Sequence, residues 1–155
     1  MATLDNFNRR YGVAMENFSE ANKALSANYD RIKVLEELQK QLRHYGRTKD
    51  NYKLYNAAKD KEKFLRENYG IEGDVILHET AKKYFDKYTA EHGKPLPKMS
   101  EVIAELTSLK ATKKQQQSEY NAAKAEHDNM IKLKVNLQSL LGKDAVREYK
   151  NDLMI

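Results

Sequence analysis

The sequence predicts an all-α fold: a long antiparallel helical hairpin with two shorter helices at its tip. Its 155 residues include only 6 Gly and 2 Pro, and it is rich in straight-chain residues that lose little rotamer freedom in a helix. Two segments of about 40 residues, one at each end, show helical apolar periodicity, which gives two stalk helices of roughly 60 Å. We expect one helical domain over residues 1–142 and a C-terminal tail over 143–155.

The first stalk helix is predicted over residues 4–43. Its apolar side chains recur at alternating spacings of three and four, which is typical of a helix packed along another long helix. The pattern stops at Gly46, so we expect the helix to end there. The predicted seam consists of Leu4, Phe7, Tyr11, Ala14, Phe18, Ala21, Leu25, Asn28, Ile32, Leu35, Gln39 and Leu42.

Two tip helices are predicted over residues 48–68 and 75–91. Two glycines separate them, and Asp74 is expected to cap the second because its carboxylate can accept free backbone N–H groups. The predicted apolar face of the first tip helix comprises Leu54, Ala58 and Leu65. The predicted seam of the second comprises Leu77, Ala81, Tyr84 and Tyr88.

The second stalk helix is predicted over residues 101–141, after a proline-containing loop and before Gly142 as its C-terminal cap. From the matched lengths we expect Leu25 and Ile32 to pack near Tyr120 and Met130. The predicted seam is Val102, Leu106, Leu109, Tyr120, Ala123, His127, Met130, Leu137 and Leu141, with polar interruptions at Lys113, Gln116 and Lys134.

The sequence offers no recognisable catalytic constellation. It has no cysteine, no phosphate-binding glycine motif and no pair of histidines at metal-binding spacing. We therefore expect no catalytic residue, no metal and no cofactor. His78 is interpreted as a helix-surface or partly packed histidine, and His127 as a histidine of the seam. No apolar run approaches the roughly 20 residues that span a membrane, so a cytoplasmic protein without membrane contact is expected.

The net charge of +5 is concentrated in one segment. Residues 40–66 contain nine Lys or Arg against three acids, a net +6, and local positive charge indicates a polyanion partner or a solvated surface. The candidate DNA-binding residues are Arg43, Arg47, Lys49, Lys53, Lys59, Lys63 and Arg66. Tyr45, Tyr52 and Tyr55 lie among them, and they either pack within the tip or stack on nucleic-acid bases.

The region from Ile32 to Gly142 resembles the helical region downstream of the nuclease domain in relaxase and mobilisation proteins of bacterial mobile genetic elements. The similar residues are a Tyr-x-x-Thr-Lys-Asp-x-Tyr core (Tyr45 to Tyr52), a basic stretch, "ILH-x-x-AKK-x-F" (Ile76 to Phe85), a Leu-Pro loop, "EYNAAKAEHDNM" and "KVNLQSLLG". The resemblance implies a non-catalytic accessory region of a DNA-transfer protein, because the nicking tyrosine and the histidine-bound metal belong to the upstream domain.

A second function also fits the sequence. The long seams predict a coiled-coil interaction module that joins a second copy or another transfer-complex protein without contacting DNA. Apolar residues off the first seam (Met15, Val34 and Leu38) offer a second apolar face for such self-association.

Overall fold

The computed structural model describes the backbone of residues 2–153 and the side chains of residues 4–142. The chain forms four helices, α1 (Ala2–Ala57), α2 (Lys61–Glu67), α3 (Ile71–His92) and α4 (Met99–Leu153), with no strand in the described part. The predicted all-α fold of long paired helices is confirmed. The helices form two compact units: unit 1 contains Met1–Tyr29 and Ala111–Ile155, and unit 2 contains Asp30–Lys110.

Unit 1 is an antiparallel pair made by the first part of α1 and the later part of α4. Arg10 forms an ion pair of 2.8 Å with Glu126, whereas Asn28, further along α1, donates from Nδ2 to Oε1 of Gln116 at 2.7 Å. Partner numbers on α4 therefore fall as those on α1 rise. Each helix contributes one narrow stripe to the contact, as expected for two helices lying side by side.

The predicted seam of α1 in unit 1 is buried or half-buried at every position except Leu4. The ring of Phe18 lies 5.5 Å from that of Tyr120 and 4.4 Å from that of His127, measured between centroids. His127 is thus a half-buried seam residue, as the pattern predicted. Alanines fill much of the remaining contact, and an open groove of about 590 Å³ runs between Ala14, Ala21 and Ala123.

Unit 2 has a broader core, because α3 and both long helices contribute to it. Ile32, Leu35, Leu38, Tyr88, Val102 and Leu106 form the buried cluster, with Leu42, Tyr84, Phe85, Leu96 and Leu109 packed against it. The expectation that Ile32 is buried holds, but its predicted neighbours were wrong: it packs in the Leu106 cluster, and Tyr120 packs on Phe18 of unit 1. Equal helix lengths did not determine how the two helices are aligned.

The predicted break at Gly46 was wrong, because α1 continues to Ala57. Gly46 lies on the exposed face, where no atom approaches within 4 Å of an added Cβ. A glycine there weakens the helix by about 1 kcal/mol relative to Ala without ending it. The seam continues through Tyr45, Thr48 and Tyr52, which are buried or half-buried.

The predicted tip helix 48–68 is consequently two elements, the end of α1 and the short α2. Asp60 begins α2 by accepting the backbone N–H of Lys63 at 3.1 Å. The apolar face predicted for this helix was partly wrong: Ala58 and Leu65 are half-buried, but Leu54 is 57% exposed. The prediction treated these residues as one helix. Because the helix is interrupted between Ala57 and Lys61, they do not share one apolar face.

α3 starts four residues earlier than predicted, at Ile71. Its N-terminal flank is Gly70 with φ 93°, a left-handed conformation that glycine adopts without strain. Asp74 is therefore not the cap, and its Oδ2 instead accepts from Nδ2 of Asn51 at 2.7 Å. Together with the contact between Tyr45 and Phe85, at 5.4 Å between ring centroids, this bond places α3 antiparallel to the end of α1.

α4 does not end at Gly142 as predicted. Its helical backbone continues to Leu153, because Gly142 keeps a negative φ and makes no left-handed cap. The predicted tail, residues 143–155, is thus helical as far as Leu153, and its side chains lie outside the described residues. Over the described part of the chain, none of the helices is both long and apolar enough to cross a membrane.

Candidate nucleic-acid interface

The centre of unit 2 next to the basic segment is an aromatic cluster around His78. The imidazole stacks on Tyr45 at 4.4 Å and on Tyr52 at 4.2 Å between centroids, with an interplanar angle of 23° in both pairs. Because these tyrosines are seven residues apart, two turns of α1 separate them, and the His78 ring from α3 lies between them. His78 is only 3% exposed, so the prediction of a surface or partly packed histidine was wrong.

Thr48 fixes the hydrogen bonding of this cluster. Its Oγ1 donates to the carbonyl of His44 at 2.6 Å and lies 2.9 Å from Nδ1 of His78. A threonine hydroxyl has one hydrogen, and the short bond to His44 uses it. With the hydroxyl hydrogen used in this way, Oγ1 of Thr48 acts as the acceptor for Nδ1–H of His78.

Burial lowers the pKa of His78 below its ordinary value, and the nearby positive charge of Lys82 lowers it further. The backbone of Tyr45 and the carboxylate of Glu79 oppose this shift. The stacked ring is consequently neutral near pH 7. Its role in the described structure is to join α3 to α1.

The three tyrosines predicted to pack or to stack on bases are all half-buried. Tyr45 and Tyr52 each cover one face of the His78 ring, and Tyr55 lies 6.2 Å from Tyr52 and 6.4 Å from Phe64 between centroids. Nζ of Lys82 lies 5.3 Å from the Tyr52 ring centroid. Packing therefore accounts for one side of each ring, and base stacking stays a prediction for the other.

All seven predicted basic residues of the interface are exposed and lie in unit 2. Lys63 has a weak ion pair with Glu67 at 3.9 Å. None of the other six has a carboxylate within 4 Å in the described structure; these are Arg43, Arg47, Lys49, Lys53, Lys59 and Arg66. Other lysines of unit 2 do have such partners, for example Lys110 with Glu36 at 3.4 Å.

On α1 these cations form two rows rather than one stripe. Arg43 and Arg47 are four residues apart, as are Lys49 and Lys53, so each pair lies on one side of the helix. At about 100° per residue, the rows are roughly 120° apart around the axis. Lys63 was predicted to lie on the same helix as Lys49 and Lys53. It lies on α2 instead, because the helix is interrupted between Ala57 and Lys61.

The described residues contain no group of three or more His, Cys, Asp or Glu side chains that could hold a metal ion.

Sequence reasoning missed the buried positions of Thr48 and His78. The spacing of Tyr45, Thr48 and Tyr52 was a usable signal, since steps of three and four place them on one helix face. Strict continuation of the heptads from Leu42 instead leads to exposed Gly46, Lys49 and Lys53. Most residues of the aromatic cluster come from two motifs of the relaxase resemblance, "YGRTKDNY" and "ILHETAKKYF". These two motifs are therefore in contact in the folded chain.

No family model, curated protein or solved structure matches the chain. The similarity to relaxase and mobilisation proteins therefore rests on the quoted residues and stays a prediction.

Proposed function

We propose that this chain is a non-catalytic accessory region of a relaxase or mobilisation protein of a conjugative element. In this role unit 2 binds DNA through phosphates, and the chain acts in the cytoplasm with other proteins of the transfer complex. The observation that carries the proposal is the concentration of exposed Lys and Arg side chains in residues 43–66, six of which have no acidic partner among the described residues. Surface cations held by carboxylates are already neutralised, whereas these six are available to a polyanion.

The chemistry of these residues defines the kind of binding. Lysine on a helix face is a point charge that contacts phosphates but makes no bidentate pair with a base edge. Arg43 and Arg47 are able to do so, but they lie on a different side of α1. We therefore expect binding with little sequence preference, in which contacts to the backbone position the DNA.

The first prediction concerns salt and charge. Four or five phosphate contacts give a slope of about −4 in log affinity against log salt on duplex DNA. Replacing Lys49, Lys53 and Lys63 by Glu should abolish binding while leaving helicity intact, since all three side chains are exposed. Fluorescence anisotropy of a labelled duplex in low salt measures the affinity, and circular dichroism measures the helicity.

A matched control changes the same charge elsewhere. Lys114, Lys124 and Lys132 are exposed lysines of unit 1, and their reversal to Glu should weaken binding far less. Absence of wild-type binding at tens of micromolar protein would refute the proposal, as would equal losses in the two triple variants.

An apolar groove in unit 1 favours a second candidate function, self-association. The groove has a volume of about 450 Å³ and is lined by Leu4, Phe7, Leu133, Asn136, Leu137, Leu140 and Leu141. Leu140 and Leu141 are 58% and 53% exposed. By contrast, Leu38 of the second apolar face predicted from sequence is fully buried within unit 2 and is not available. Light scattering at rising concentration tests self-association, and a strict monomer argues against it.

A further inference from the structure

A cleft opens in unit 2 between α1, α3 and the loop before α4. Its volume is about 330 Å³, within the range of small-ligand sites. It is lined by Leu42 and Tyr45 from α1, by Lys82, Phe85 and Asp86 from α3, and by Leu96 from the loop before α4. The aromatic and leucine side chains are half-buried, whereas Lys82 and Asp86 are exposed at the rim.

The walls of this cleft suit a flat ring. The rings of Tyr45 and Phe85 meet edge to face, at an angle of 63°, and two leucines complete the apolar lining. Nucleobases bind such surfaces through their π faces whatever their sequence.

The charge around the cleft is asymmetric. Lys49 follows Tyr45 by four residues and Leu42 by seven, so it lies on the flank of α1 that lines the cleft. Lys53 continues that row by one turn. Asp86 at the rim disfavours a phosphate there. A nucleic-acid backbone is therefore favoured along the lysine row, with a base directed into the cleft.

We propose that this cleft binds one unpaired base of a single-stranded nucleic acid whose phosphates contact Lys49 and Lys53. This inference rests on the proposed function, and it adds that the protein prefers single-stranded to duplex nucleic acid. A base within a duplex is stacked and paired, so it cannot enter. Electrostatics alone favours the duplex, which has the higher charge density. A preference for single strands thus reports the cleft and not the lysines.

The experiment compares a labelled single-stranded DNA oligonucleotide, chosen to lack secondary structure, with the same sequence as a duplex. Fluorescence anisotropy at one fixed salt concentration should show about tenfold tighter binding of the single strand, as expected for stacking one base. Leu96→Asp places a charge in the cleft and should reduce this preference to about one. Leu54→Asp makes the same change at an exposed position next to Lys53 and should leave the preference near tenfold.

A second readout requires no variant. A single strand carrying 2-aminopurine should lose fluorescence when it binds the unaltered protein, because the base stacks in the cleft. Equal affinities for both forms of DNA, or unchanged 2-aminopurine fluorescence at saturation, would overturn the cleft assignment and leave phosphate binding intact. Loss of all binding, to duplex and single strand alike, would instead refute the proposed function.

Discussion

The two units of this protein bury their side chains to different depths. In unit 2, Leu35, Leu38 and Val102 are fully buried, and an aromatic cluster adds a second layer of contacts. In the described part of unit 1, Met130 is the large side chain that is fully excluded from solvent. Most other seam positions there are half-buried. When only two helices pair, each buries one narrow stripe of side chains, and the edges of that stripe stay exposed to solvent. In unit 2 an additional helix packs against the pair and covers those edges.

This difference shows that one helix can support two kinds of packing. Spacings of three and four run along α1 in both units, but in unit 2 the buried positions include Leu38 and Thr48, which lie off the strict heptads. Burial therefore depends on which neighbouring elements contact the helix. Because apolar area removed from water is the main favourable term in folding, we expect unit 2 to hold most of the stability. The next three predictions test that comparison, from the largest expected effect to the smallest.

The largest effect is expected from Leu38→Ala in unit 2. Leu38 is fully buried in the Leu106 cluster, so its truncation should lower the free energy of unfolding by about 3 kcal/mol. Leu25→Ala removes the same atoms from a half-buried seam position of unit 1 and should lower it by about 1 kcal/mol. Urea denaturation followed by circular dichroism measures both. Equal losses would contradict the proposed concentration of stability in unit 2.

A smaller effect is expected from Thr48→Val, which keeps the shape but removes the hydroxyl. Buried His78 then loses its hydrogen bond to the threonine hydroxyl, and stability should fall by about 2 kcal/mol. Thr107→Val is the matched control, because Thr107 makes the same type of bond to the carbonyl four residues earlier, at 2.9 Å, on an exposed surface. That control should change stability by about 0.5 kcal/mol or less. If Thr107→Val lowered stability as much as Thr48→Val, the loss would come from removing a threonine hydroxyl from a helix and not from the His78 cluster.

The smallest effect is the pH dependence of the His78 cluster. The folded-state pKa of His78 is depressed, so the unfolded chain binds a proton more readily. Stability from this residue is present above the unfolded pKa of about 6.5 and is lost as the pH falls toward the folded pKa. The free energy of unfolding should therefore decline as the pH falls through about 6.5.

Replacing the histidines separately identifies the source of that decline. His78→Gln should flatten the dependence, although it also lowers stability by removing two stacking contacts. His127→Gln in unit 1 should retain the decline, since His78 is unchanged in that variant. An equally steep dependence in His78→Gln would show that other groups cause it.

Sequence periodicity predicted much of the fold because the seam of α1 is long and regular. It failed at Gly46, since a glycine disrupts a helix only weakly and the packing of Tyr45 and Tyr52 on α3 outweighs that penalty. It also failed at Gly142, where a glycine resembles a cap in sequence but retains helical backbone angles. Local signals of this kind are overridden by contacts that a single sequence does not show.

The candidate site was predictable in part for a related reason. The exposure of the seven basic residues follows from their charge, and all seven are exposed. The burial of His78 does not follow from local sequence, because it depends on a threonine and two tyrosines that approach from another helix. The cleft beside Tyr45 likewise requires Leu96, a loop residue whose position no helical period defines.

The hydrogen bond between Asn28 and Gln116 has a consequence for how unit 1 selects one alignment. Its seam includes Ala14, Ala21 and Ala123, and such small side chains distinguish only weakly between alignments that differ by a heptad. A seven-residue shift of α4 would place Ala123 or Leu109 opposite Asn28 instead of an amide. The buried Asn28 would then lose this partner, at about 1–3 kcal/mol. That penalty favours the observed alignment over its neighbours by about fivefold to 150-fold, so this single hydrogen bond helps to fix the register of the two helices.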